Sequence, residues 1–274
     1  MYKVNHNFFK EIKTEEQAYC LGLMYSDGCV TSRNNSYLIQ FTQIKDRKQL
    51  VELFNNLLGS NKPIYFYKMK TGKDIYMCSI SSKQLGEDLI RLGCTKKKSL
   101  TLQFPNFISN NLMPHFIRGI FDGDGCIWNG KRKKVEIKDK NCKNGKRIRI
   151  IHNVKFTFTG NSSFISDLQK FLNKECLLPI TKLNYSKAKN ISNSTSNNIC
   201  TVEYSGRKNI KKLYDYMYNQ SHYYEINKYQ KFKEILCALV EKSTKDISLI
   251  AGTPEMVISS QASNEEGSTT ITEM

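Results

Sequence analysis

Two aspartates, each followed by glycine at the end of an apolar run, are the residues in this chain best placed to do chemistry. Residues 18–30 read AYCLGLMYSDGCV and residues 115–127 read HFIRGIFDGDGCI. Stacked on Gly22 and Gly119, the runs set Asp27 against Asp124, because the interval between the glycines equals that between the aspartates. Leu21, Leu23 and Met24 in one copy, and Phe116, Ile117, Ile120 and Phe121 in the other, are the residues that would bury a helix. The glycines remove side chains where two such helices could cross closely, as small residues do at membrane helix crossings. Asp27 and Asp124 would then sit at adjacent helix C-termini, where the negative dipole ends add to the repulsion between two carboxylates unless a cation lies between them. A hard divalent ion with oxygen ligands resolves that conflict: Mg²⁺ first, with Mn²⁺ as a substitute, the Ser26 and Gly123 carbonyls being candidate further ligands. A single Asp-Gly after a core helix is ordinarily just a turn; the duplication makes the chemical reading the stronger one. A calcium loop starting at Asp122 fails, because Lys133 stands where a glutamate is needed.

The composition narrows the partner. The 274 residues carry a formal charge of +17, and so basic a chain is drawn to polyanions because neutralising phosphates releases condensed counterions. Nucleic acid is the expected partner rather than a membrane, since there is no basic amphipathic helix with a clean apolar face. No run approaches the apolar length of a bilayer span, and the start MYKVNHNFFKEIK lacks the apolar core of a signal peptide. Nine scattered cysteines without a CxxC pair exclude an ordinary zinc finger and fit free thiols. The expected location is cytoplasmic, or the matrix of an organelle, and not secreted.

The elements that must position the aspartates also repeat. After the first motif come strand-like runs at 29–32 and 37–43, a helix at 46–58, strands at 63–70 and 74–81, and a helix at 83–92 closed by Gly93. After the second come strands near 126–129 and 148–159, a helix near 162–172, strands near 180–187 and 199–205, and helices near 207–218 and 223–240. The expected fold class is α+β: two pseudo-symmetric halves, 1–98 and 114–245, each with the order αββαββα, joined by the connection 99–113. Residues 130–150 read as a basic insertion forming a projecting hairpin with an Asn144-Gly145 turn. The tail 246–274 contains no Lys or Arg, is acidic and rich in Ser and Thr, and is expected to be disordered.

CLGLMYSDG (20–28) and FIRGIFDGDG (116–125) resemble the two signatures of the LAGLIDADG homing endonucleases in their single-chain, two-motif form, and the resemblance covers residues 8–240. It implies a monomer with its motif helices at the centre and two antiparallel sheets forming a saddle in the DNA major groove. It also implies metal-dependent cutting of both strands of a specific target by an enzyme of a mobile element, such as a homing intron. Carried onto this chain, the metal-binding carboxylates are Asp27 and Asp124. The family's basic residue near each centre matches Lys98, from KKKSLTLQFP, and Lys228, from EINKYQKF. Gln43, ending IQFTQ, matches a strand-end residue that orients water; its counterpart in FTFTG is Gly160, so the two centres would be unlike. Tyr25 stands where the second copy has Asp122, a position that is not a metal ligand in the family, so little loss is expected. DNA contacts would come from polar residues alternating on the sheet faces, with Arg33, Gln40, Lys68, Lys70, Lys155 and Lys187 as candidates and Lys131 and Arg132 from the basic insertion. Two rival readings use the same fold: an intron RNA maturase, and a DNA-binding regulator that does not cut. Neither requires both aspartates at matching sites. The termini lack the residues used in protein splicing, which favours a free-standing or intron-encoded protein over an intein.

Overall fold

The computed structural model describes residues 2–69, 72–95, 98–137, 146–185 and 198–237. Its first helix, α1 (Glu15–Ser26), starts at a reciprocal cap in which Thr14 accepts from the Gln17 amide while the Gln17 side chain accepts from the Thr14 amide. The strands β1 (Gly28–Arg33) and β2 (Ser36–Ile44) follow, then α2 (Lys48–Leu57), β3 (Tyr65–Tyr67), β4 (Ile75–Ser81) and α3 (Lys83–Arg91). The second half repeats the order with α4 (Met113–Asp124), β5 (Cys126–Ile137), β6 (Lys146–Asn161), α5 (Ser162–Cys176), β7 (Asn184–Tyr185), β8 (Ile199–Ser205) and α6 (Arg207–Tyr218), and adds α7 at 226–237. The two sheets are antiparallel with the same strand order, β1-β2-β4-β3 and β5-β6-β8-β7. Both halves lie within one compact unit, Met1–Leu236.

Strand alternation decides which face each sheet buries. In β2 the residues Ile39, Phe41 and Gln43 face inward while Leu38, Gln40 and Thr42 are half-exposed on the other face. The inward row packs on α2, where Phe41 and Phe54 rings lie 4.8 Å apart. In the second half Phe121 stacks on Phe156 at 4.0 Å, with Phe158 and Phe232 edge-on around it. The motif helices are buried between the halves, α1 without interruption from Ala18 to Tyr25.

Where element bounds differ from expectation, backbone chemistry accounts for it. Within the stretch 130–150, β5 and β6 continue as one antiparallel ladder from Cys126↔Thr157 to Ile137↔Lys146, well beyond the length of the equivalent β1–β2 ladder, which ends at Arg33↔Ser36; the Asn144-Gly145 turn and the tail 246–274 lie outside the described residues. The strand expected at 63–70 shortens to Tyr65–Tyr67, an edge strand bonded only to β4, and Pro63 has no amide to extend it. The strand expected at 180–187 is described only as Asn184–Tyr185. The helix expected at 46–58 starts later, after a 3-10 turn at Lys45–Arg47 that turns Arg47 toward the other half.

Two of the interactions between the halves lie along the motif helices. At the crossing of α1 and α4, a Cβ on Gly22 would lie 2.2 Å from the Phe116 carbonyl and one on Gly119 would lie 2.2 Å from the Tyr19 carbonyl, so the backbones touch. At the other end of the helices Arg118, fully buried, donates to the carbonyls of Met217 and Tyr223 and to the Glu15 carboxylate, each at 2.7 Å. Glu15 also accepts from the His222 amide and imidazole at 2.9 and 2.7 Å. Burial pushes the Glu15 carboxyl up, but these His222 bonds and the charge of Arg118 outweigh it and hold the carboxyl below its usual range.

Both interactions make predictions. Gly119→Ala forces a methyl into backbone that cannot give way like a flexible side chain, and should lower stability by about 2–4 kcal/mol; a shift below about 1 kcal/mol in urea unfolding would mean that the helices can separate at little cost. For Glu15, a depressed folded pKa means stability that is present above the unfolded value and lost as pH falls through the folded one. Stability should therefore drop below about pH 4, and Glu15→Gln should flatten that drop; an unchanged acid limb would remove Glu15 as its source.

Candidate active site

The two aspartates arrive where the crossing helices end. Asp27 caps α1, its amide donating to the Leu23 carbonyl at 3.1 Å, and Asp124 is the last residue of α4, with Gly125 extended beyond it. A Cβ on Gly123 would lie 1.8 Å from the Ser26 hydroxyl and 3.2 Å from Asp27 Oδ2, so Gly123 is the residue that lets the helix ends close. The carboxyl groups come within hydrogen-bonding reach of each other. Burial of its carboxyl by the surrounding protein, then the negative charge of Asp27, push Asp124 up to about 6, although the residue as a whole remains accessible.

Cations gather at the same helix ends. Lys98, at the start of a 3-10 turn in the connection, donates from Nζ to the Ser26 carbonyl at 2.7 Å. Lys228, in the first turn of α7, donates to the carbonyls of Phe121, Asp122 and Gly123 at 2.6, 2.9 and 3.1 Å. Ser26 and Gly123 are equivalent positions of the two motifs, so the lysines occupy equivalent places although they come from unlike elements. Burial and then the nearby Arg47 charge lower Lys228 to about 8. Arg47 itself reaches across from the first half, donating to the Gly123 carbonyl at 3.2 Å and to the Asp122 carbonyl. Sequence reasoning missed Arg47, since a basic residue in a helix-start segment carries no sign that its partners are carbonyls in the other half.

The two aspartates have unlike neighbours. Gln43 is buried and donates from Nε2 to Asp27 Oδ2 at 2.5 Å. Gly160 holds the corresponding place at the end of β6, and beside it lies a cavity of about 190 Å³ lined by Tyr25, Ser26, Ile120, Asp124, Gly160 and Phe164. The two carboxylates are oxygen donors, whereas the Ser26 and Gly123 carbonyls, expected as further ligands, are taken by Lys98 and by Lys228 and Arg47. Among the described residues no three His, Cys, Asp or Glu side chains form a metal-binding cluster, so a cation here would rest on the two aspartates and water.

The proposed DNA contacts are more scattered. Arg33 is exposed at the end of β1, and Gln40 is half-buried on the open face of β2, its amide 3.0 Å from the Met77 sulfur. Lys68 is exposed just after β3, and Lys131 is exposed on β5. Lys131 alternates with the open-face row, sharing the strand side of the buried Ile127. Lys155 is on the open face but paired with Glu203 at 2.6 Å. Arg132 lies opposite Ile151 in the ladder, its side chain outside those described, and Lys70 and Lys187 also fall outside the described residues.

Comparison with solved structures settles the architecture. The I-LtrWI LAGLIDADG homing endonuclease bound to target DNA aligns over 85% of this chain and 92% of its own, at 15% identity and a TM-score of 0.51. This chain has the LAGLIDADG homing endonuclease fold. The LAGLIDADG meganuclease I-AabMI bound to uncleaved DNA aligns over 83% of this chain and 91% of its own, at 13% identity and a TM-score of 0.49. No model of a protein family and no curated protein matches the chain. The repeated motif lies on α1 and α4, and the two sheets are β1–β4 and β5–β8. Among the described residues no helix is long and apolar enough to cross a membrane.

The mutual repulsion has a measurable signature. A carboxyl held above its unfolded value favours the folded state while protonated, so this contribution disappears as pH rises through about 4 to 6. Asp124→Asn should therefore raise the melting temperature in EDTA above about pH 7 and have little effect near pH 4. Equal effects at both pH values would show that Asp124 carries no such conflict.

Proposed function

We propose that this protein is a sequence-specific, metal-dependent endonuclease that hydrolyses both strands of a double-stranded DNA target. The observation that carries the reading is the convergence of Asp27 and Asp124 at the C-termini of two crossing helices, one carboxylate from each half. Nothing in folding calls for two carboxylates to be pressed together there, whereas an oxygen-ligated cation does. The charge of +17 supports a polyanionic substrate. I-LtrWI, which shares the fold, is itself bound to target DNA.

The two carboxylates, with water to complete the shell, would suit Mg²⁺, with Mn²⁺ able to replace it; the Ser26 and Gly123 carbonyls, named as further ligands from the sequence, already accept from Lys98 and from Lys228 and Arg47. Held there, the ion would polarise the scissile phosphodiester and lower the pKa of the attacking water. The residues of the chain do the rest. Lys98 and Lys228 bring one ammonium to each helix end, positioned to stabilise charge that develops on the phosphate oxygens. Gln43 fixes the orientation of Asp27, while the space beside Gly160 leaves room for ordered water near Asp124. Arg33, Gln40, Lys68 and Lys155 contact the duplex from the sheets, and the basic stretch holding Arg132 extends that contact along the β5–β6 ribbon, whereas Lys131 lies on the strand side of the buried Ile127. One chain supplies both aspartates, so the protein acts as a monomer. Homing of a mobile element is the biological setting this activity would serve.

The test is incubation with a DNA library in Mg²⁺ and in EDTA, scored for discrete double-strand breaks. Asp27→Asn and Asp124→Asn should each reduce double-strand cutting on the order of 10³-fold while leaving binding within a few-fold. Undiminished cutting by either variant would overturn the shared site. Specific binding with no Mg²⁺-dependent breaks in the unmodified protein would overturn the nuclease.

A further inference from the structure

The repeats depart from each other two residues before each paired aspartate, where one has Tyr25 and the other Asp122. We infer that these are positioning residues: Tyr25 places Lys98 and Asp122 places Lys228. The inference rests on the reading of the two lysines as cations of the active centres.

In the first half, the Tyr25 hydroxyl donates to the Leu92 carbonyl at 2.5 Å in a buried contact. Leu92 caps α3, and Gly93 turns the chain away with φ of +101°. A Cβ on Gly93 would lie 2.9 Å from the Tyr25 hydroxyl, so glycine is required both by the conformation and by the approach of the phenol. From there the backbone leads to Lys98 through two short bonds, Thr95 amide to Gly93 carbonyl at 2.9 Å and Lys98 amide to Thr95 carbonyl at 3.2 Å. The lysine then returns to the motif helix at the Ser26 carbonyl, one residue beyond Tyr25.

In the second half, the fully buried Asp122 carboxylate accepts from the Tyr19 and Tyr218 hydroxyls at 2.8 and 2.5 Å and from the Glu225 amide at 2.8 Å. The Glu225 side chain in turn accepts from the amides of Asn227 and Lys228 at 3.2 and 2.9 Å, capping the start of α7. Lys228 then returns to the motif helix at Gly123, one residue beyond Asp122. The loops of interaction are equivalent, but their polarity is reversed. The first half offers the carbonyl end of α3, which needs a donor, and a phenol supplies one. The second half offers the amide start of α7, which needs an acceptor, and a carboxylate supplies one. That reversal explains why equivalent positions hold Tyr and Asp.

The test uses the full chain with Tyr25→Phe, which removes only the hydroxyl, and Asp122→Asn, each compared with Lys98→Ala and Lys228→Ala. On the cleaved target, nicking of each strand is followed separately. Tyr25→Phe should slow, in kcat rather than KM, the same strand that Lys98→Ala slows, by about 10–100-fold as for other outer partners of an active group. Asp122→Asn should slow the strand that Lys228→Ala slows. Each double variant should be no slower than its lysine variant alone. Equal slowing of both strands, or additive losses, would overturn the inference in favour of general stabilisation. A second readout needs no cutting: the acetylation rate of each lysine in the DNA-free protein, measured by mass spectrometry. Tyr25→Phe should raise the reactivity of Lys98 several-fold and leave Lys228 unchanged. Unchanged Lys98 reactivity overturns the positioning role whether or not DNA is cut, whereas changed reactivity with no cutting by the unmodified chain would overturn the nuclease reading alone. Should Asp122→Asn fail to fold, Tyr25→Phe carries both readouts.

Discussion

Contact between two helix backbones at Gly22 and Gly119 is the constraint on which the rest of the molecule depends. With the Phe116 and Tyr19 carbonyls 2.2 Å from where a Cβ would have to be, α1 and α4 cross backbone against backbone. A residue five positions on from each glycine is then necessarily near its counterpart. That places Asp27 and Asp124 side by side without any contact designed for them, and Gly123 allows the final approach. The same crossing presents each half's sheet outward, because β1 and β5 leave the motif helices immediately after Gly28 and Gly125. The meeting of the two carboxylates and the outward sheet faces therefore follow from one packing decision.

Bringing two negative helix ends and two carboxylates together is unfavourable by itself. The protein answers with Lys98, Lys228 and Arg47 on the last carbonyls of the motif helices, which satisfies groups that every helix end leaves open. These cations neutralise the dipole ends without pairing directly with the carboxylates. Burial first, and then a neighbouring like charge, depresses Lys228 and raises Asp124. A divalent ion would complete this arrangement, since the two carboxylates still face each other at the helix ends. Melting behaviour of Asp124→Asn therefore reports on the centre itself, independently of any substrate.

Duplication is what made much of this readable from the sequence. The helices, the order of strands and the pairing of Asp27 with Asp124 follow from one motif repeated at matching intervals, with a period of two in the strands and about 3.6 in the helices. Lys98, Lys228 and Gln43 were within reach because they lie in stretches similar to a known family, and the structure brings all three to the helix ends. Arg47 was not, because its partners are backbone carbonyls in the other half, and carbonyls leave no mark on a sequence. The weight of Tyr25 and Asp122 was also missed. A tyrosine in place of an aspartate looks like loss of a polar group until one sees that it faces a carbonyl rather than an amide.

The same fold built twice does not give the same chemistry twice. Gln43 against Gly160, Tyr25 against Asp122, and an Arg47 with no equivalent cation from the second half among the described residues are differences laid on nearly equivalent backbones. In a dimer of identical chains each such difference would be forced onto both centres. A single chain with two halves is free of that symmetry, so each motif helix can take a lysine from a different element and hold it by a bond of opposite polarity. The open faces are free in the same way, with Arg33 on one sheet and a Lys155–Glu203 pair on the other. A duplex whose two half-sites differ in sequence requires that freedom, because identical faces would favour identical half-sites. If the proposed function holds, this asymmetry of side chains suits a target that is not a palindrome.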